Sequence, residues 1–97
     1  MQVTGMDYDV VGKYADNFAR LSETFKRVSK VLQAAIAILR ASAFMGSFGS
    51  AALARYLSGI KPHIDRLAAT CAEFESDLRV AIRTHQEADA AAAGEVR

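Results

Sequence analysis

The stretch SAFMGSFGSAA, Ser42 to Ala52, lies near the middle of a chain of 97 residues and sets Phe44 and Phe48 beside Gly46 and Gly49. Glycines this close together end one regular element and begin another. On both sides of them the pattern is helical. Before the stretch, Val11, Tyr14, Phe18, Leu21, Phe25, Val28, Leu32, Ala35, Leu39 and Ser42 follow one another at alternate spacings of three and four, one face of a continuous helix. After it, Leu53, Leu57, Ile60, Ile64, Leu67, Cys71, Phe74, Leu78, Ala81, His85, Ala88 and Ala92 repeat in the same way. A strand would need a period of two, so the pattern excludes sheet.

The stripes match when folded about the glycines. Positions equidistant from the turn pair as Leu39 with Leu53, Leu32 with Ile60, Val28 with Ile64, Phe25 with Leu67, Phe18 with Phe74 and Tyr14 with Leu78. The expectation is an all-α, antiparallel two-helix hairpin with coiled-coil-like packing and arms of about 50 to 60 Å. Helix 1 is expected over about 8–44, the turn over 45–50 and helix 2 over about 50–90, with a flexible tail at 91–97. Asp7 or Asp9 suits the first N-cap and Ser47 or Ser50 the second, while Gly46 suits a left-handed helix end. Pro62 removes the amide that would bond to the carbonyl of Ser58, so a kink is expected there.

Composition narrows the function. Hydrophobic residues make up 52% of the chain, with one proline and no tryptophan, which favours helix. Twelve basic and eleven acidic residues leave a formal charge of +1. That total gives no field for drawing in nucleic acid or an anionic membrane. Cys71 is the single cysteine, which excludes an internal disulfide and suits a small core residue. The N-terminal segment lacks a basic region followed by an apolar one and carries Asp7 and Asp9, unlike a signal peptide.

No catalytic set emerges. His63 and His85 stand about six helical turns apart, on the order of 33 Å along one rod, beyond a shared site. His63 and Asp65 point to different faces, and His85 with Asp89 supplies two ligands where zinc takes three or four. No strand precedes the glycines of the turn and no Gly-Lys-Ser/Thr follows them, so they form no phosphate loop. The expectation is a non-enzymatic protein with no cofactor and no metal.

A two-helix hairpin has one interface, and the gain from burying it roughly cancels the entropy of ordering the chain. Val31, Ala34, Ile36, Ala37 and Ile38 make the first arm apolar nearly all round before the turn, and Ala51, Ala52, Ala54 and Tyr56 do the same after it. Such surface is expected to be covered. Val31, Ala34, Ile38, Ala52 and Tyr56 are therefore the expected dimer interface, giving a four-helix bundle as homodimer or heterodimer.

Long antiparallel helices in about a hundred residues, an aromatic-x-Gly turn at Phe44-Met45-Gly46 and no signal peptide resemble the WXG-type family, the early secreted antigenic target-like small proteins of type VII secretion. There the turn carries Trp-x-Gly; here Phe44 takes the place of the tryptophan. The resemblance implies that the ring covers the open end of the bundle. Members also tend to carry Tyr-x-x-x-Asp/Glu near the end of the second helix as part of an export signal. His85-Gln86-Glu87-Ala88-Asp89 stands at the corresponding place, so His85 and Asp89 are the implied export motif. The resemblance implies a type VII substrate or co-secreted dimer partner, handled by a membrane ATPase of the secretion machinery and leaving the cell without a signal peptide. The alternative is a cytosolic coiled-coil adaptor or scaffold subunit that is not exported.

Overall fold

The computed structural model describes residues 7 to 95 of the chain. Two helices account for nearly all of them: α1, Tyr8–Phe44, and α2, Phe48–Glu95. They pack against each other as an antiparallel hairpin measuring 78 × 21 × 16 Å. The side chain of Asp7 caps α1 by accepting from the Val10 amide at 3.2 Å, and Asp9 sits favourably in the positive first turn. α2 begins two residues earlier than the spacing suggests and continues to Glu95, so most of the expected tail is helical. Its last two residues, 96 and 97, lie outside the described residues. Pro62 does not interrupt α2, whose helix continues on both sides of it.

The seam between the helices departs from the expected stripe by one residue at every second position. On α1 the residues that face α2 are Tyr8, Val11, Ala15, Phe18, Ser22, Phe25, Ser29, Leu32, Ile36, Leu39 and Ala43, all buried or half-buried. On α2 they are Ser50, Ala54, Leu57, Lys61, Ile64, Ala68, Cys71, Glu75, Leu78, Ile82 and His85, again without exception. Five of the ten predicted stripe residues of α1 lie in the seam, and five of the twelve of α2. The others are displaced: Ala15 is fully buried while Tyr14 is 57% exposed, and Leu21, Val28, Leu53, Leu67 and Phe74 are exposed as well.

The reason is size. Small residues at the line of closest approach let the backbones come together, and bulky ones are then pushed to the edge. Ser22 donates to the carbonyl of Ala68 at 2.9 Å, a bond that spans the seam directly. Ser29 donates to Asp65, which also takes Lys61 at 2.9 Å. These two partners, Ser29 foremost, hold the Asp65 carboxyl below its ordinary range. Phe18 and Phe74 meet edge to face with centroids 5.2 Å apart, as the mirror pairing requires.

Both helices follow a strict heptad, so the two sides of the seam can be told apart. In an antiparallel pair, residues preceding one set of seam positions on α1 lie beside those preceding the equivalent set on α2. Tyr14, Leu21 and Val28 thus share a flank with Leu53, Ile60, Leu67 and Phe74. The opposite flank is polar and holds the cross-helix polar contacts of the middle of the rod. Arg40 reaches Ser58 at 3.2 Å, and Arg79 donates to Asp16 and Glu75, each at 2.9 Å.

The chain exposes 7203 Å², where a compact monomer of its mass would expose roughly 5400 Å². Replacing Ala15 with Leu forces bulk into the seam and is expected to cost about 1–3 kcal/mol. That lowers the melting temperature by about 4–8 °C per kcal/mol in a domain of this size. Tyr14→Leu, on the neighbouring residue, is expected to stay within about 0.5 kcal/mol of the native chain. Thermal melting followed by circular dichroism separates the two, and the reverse order would place Tyr14 in the seam.

Candidate functional site

The predicted interface residues fall on one continuous surface. Val31, Ile38 and Tyr56 are 67%, 69% and 66% exposed and lie on the apolar flank, with Ala34 and Ala52 at its outer edge. Among the described residues fourteen large hydrophobic side chains are exposed, and ten of them belong to this flank. Phe44, Met45 and Phe48 are at the turn, and Val80 stands apart. Ten large apolar groups drawn from both helices onto one side of a rod make a patch that single chains rarely leave uncovered.

The turn is built by backbone chemistry. The Ser47 amide bonds to the Ser42 carbonyl at 3.2 Å and the Gly46 amide to Ala43 at 3.0 Å, the paired bonds that close a helix on a left-handed residue. Gly46 supplies that residue with φ of 105°. Ser47 then starts α2 by accepting from the Ser50 amide at 3.4 Å. Gly49, by contrast, is inside the first turn of α2 and has open space around it. The two rings do not cover the end of the helix pair in the single chain: Phe44 is 94% and Phe48 90% exposed.

At the other end His85 and Asp89 meet a third residue that the sequence reading did not assign to them. The Tyr8 hydroxyl donates to Asp89 Oδ2 and lies 3.0 Å from His85 Nδ1, which is itself 3.4 Å from Asp89 Oδ2. The Tyr8 and His85 rings meet nearly perpendicular with centroids 5.9 Å apart. The hydrogen bond to Asp89, with lesser help from desolvation and from the carboxylate charge, pushes the Tyr8 phenol up to about 12. In return the Tyr8 hydroxyl holds the Asp89 carboxyl below its ordinary range, against the opposing effect of desolvation and with His85 adding to the lowering. Extending the mirror pairing past Tyr14 sets Tyr8 opposite Thr84, next to His85, and that was the available signal.

Among the described residues no three His, Cys, Asp or Glu side chains gather where they could hold a metal ion, and no helix is long and apolar enough to cross a membrane. Cys71 is free and buried in the seam. Comparison of the chain with protein-family models, with curated proteins and with solved structures yields no match.

The glycines of the turn are expected to respond in opposite directions. Gly46→Ala places a Cβ at positive φ and should destabilise by about 1–2 kcal/mol. Gly49→Ala should stabilise by about 0.5–1 kcal/mol, since a helical glycine is replaced in open space. Urea unfolding of both variants reads the difference. At the open end, Tyr8→Phe is expected to lower stability most at neutral pH. The raised phenol contributes below its ordinary value near 10 and loses that contribution as pH rises toward 12. The depressed Asp89 carboxyl contributes above the ordinary carboxylate value and loses it as pH falls through the lowered one. A stability difference between native chain and Y8F that stayed flat from acid to alkaline pH would sink this assignment.

Proposed function

We propose that this hairpin acts by protein binding: it completes its core by laying the apolar flank against a second helical hairpin, as a non-enzymatic type VII secretion substrate or co-secreted dimer partner. The observation that carries the binding part is the collection of ten exposed large hydrophobic side chains on a single flank. The surface exposed beyond that of a compact monomer is of the size that obligate partners bury on each side. Packing hairpin on hairpin would convert a shallow two-helix seam into a four-helix core, the usual way for so small a domain to gain stability.

The secretion part is supported by the open end. Tyr8 brings a phenol to the His85 and Asp89 pair, so a tyrosine and a carboxylate are presented together, although they come from different helices. In the proposed mechanism this cluster forms part of the surface that a secretion ATPase reads on the assembled bundle. The second reading, a coiled-coil adaptor that stays inside the cell, is favoured by the unbroken heptad and by the continuation of α2 to Glu95.

Light scattering at micromolar concentration should give twice the 10.5 kDa chain mass, or a monomer that becomes a defined complex when a related hairpin is added. Replacing Val31, Ile38 and Tyr56 together by serine should abolish that association while leaving a helical monomer, because these three are the most exposed of the flank. A native chain that stays a cooperatively folded monomer with every candidate hairpin would refute the binding role. Asp89→Ala, expressed in a type VII-competent host, is expected to abolish export; unchanged intracellular retention of both forms would instead select the adaptor.

A further inference from the structure

The near-neutral total charge conceals a division along the rod. Between Glu23 and Asp65 there is no acidic residue, whereas Lys26, Arg27, Lys30, Arg40, Arg55 and Lys61 all fall there. The hairpin folds this stretch back on itself at the turn end; at its far edge Lys26 pairs with Glu23 and Lys61 with Asp65, while Arg40 and Arg55, nearest the turn, have no acidic side chain beside them among the described residues. The remaining six basic residues share the rest of the chain with all eleven acids. The sequence total of +1 gives no hint of this, because the two ends cancel.

The positive charge also has a side. Arg40 and Arg55 lie on the polar flank, opposite the apolar one, and there a cleft of about 280 Å³ opens between the helices. Ala43, Ala51 and Ala54 floor it, and Arg40, Arg55 and Ser58 wall it. Arg40 donates to the Ser58 hydroxyl at 3.2 Å, and neither arginine has a carboxylate partner among the described residues. Phe44 stands one helical turn beyond Arg40, and Phe48 one turn before Ala51, so both exposed rings adjoin the turn end of the cleft on the same flank. A concavity of this size is below the range of small-molecule pockets and admits one or two side chains.

We propose that this cleft docks an acidic segment of a partner protein. An apolar side chain of that segment rests on the alanine floor beside Phe44 and Phe48, and carboxylates on either side of it pair with the guanidinium groups of Arg40 and Arg55, whose planar forks suit them. Because the cleft is on the flank away from the apolar face, hairpin pairing through that face leaves it open. The docking site is therefore separate from the dimer interface, and its test does not depend on the oligomeric state.

The probe is a dye-labelled synthetic peptide with a leucine and a phenylalanine between pairs of glutamates, titrated into the full chain and followed by fluorescence anisotropy and by amide shifts in nitrogen-15 NMR. Saturable binding that weakens with salt is expected, with the shifts centred on Arg40, Ala43, Ala51, Arg55 and Ser58. Arg40→Glu and Arg55→Glu should each weaken it by about tenfold or more, the worth of a charged hydrogen bond. Lys30→Glu, the same change of charge away from the cleft, should have a much smaller effect. Both arginines are on the surface, and unchanged helicity verifies that the variants fold. An equal loss in Lys30→Glu, shifts on the apolar flank, equal binding of the lysine counterpart peptide, or no binding of the glutamate peptide would overturn the proposal. So would binding to phosphatidylglycerol vesicles with these same shifts and none with the peptide.

Discussion

The close approach of two helices along a line of small side chains governs the rest of this molecule. Ala15, Ser22 and Ser29 on α1 meet a seam that holds Ala54, Ala68 and Cys71 on α2, and the backbones come near enough for a serine hydroxyl to reach a carbonyl across the gap. Where those small residues stand the seam has no room for bulk, and Phe18, Phe25, Leu32 and Leu39 fill the alternate positions of α1. Tyrosine, leucine and phenylalanine at the adjoining positions are displaced to one flank, where the single chain leaves them exposed. The modest core and the large apolar face therefore share one cause, and neither can be altered without the other.

The two flanks that result differ in chemistry. On one, apolar side chains from both helices adjoin each other, with no polar pair joining the helices there among the described residues, which favours burial against a surface of the same kind. On the other, cross-helix pairs such as Arg79 with Asp16 tie the helices together in solvent, where each contributes about 0–1 kcal/mol. Their value lies more in fixing register than in stability. A rod arranged in this way can join a bundle through one side and still present charged groups on the other.

The ends of the rod are settled by different means. At the turn, backbone amides and carbonyls close on Gly46 without help from side chains, so the rings of Phe44 and Phe48 are free to serve another surface. At the open end no covalent link joins the helices, and fraying there would meet no backbone resistance. Tyr8, His85 and Asp89 bridge the gap with side chains, and the hydrogen bond between phenol and carboxylate raises the one group as it lowers the other.

The periodicity of the amino-acid sequence by itself determined that there are two helices, that they run antiparallel, where they reverse and, to within a few residues, how they are registered. A spacing of three and four can only be helix, and a symmetric pattern about two glycines can fold on itself in only one way. It also named Gly46 as the left-handed residue and Val31, Ile38 and Tyr56 as surface awaiting cover. Which of two adjacent positions lies in the seam was decided by the tertiary structure. A stripe chosen for hydrophobicity selects Tyr14 over Ala15 and Phe74 over Glu75, whereas packing selects for the distance between backbones, and that distance is a property of both helices together. The same holds for Tyr8 beside Asp89 and for the cleft that Arg40 and Arg55 wall from opposite helices. Both bring together residues separated in the chain, and no local pattern records the contact that folding makes.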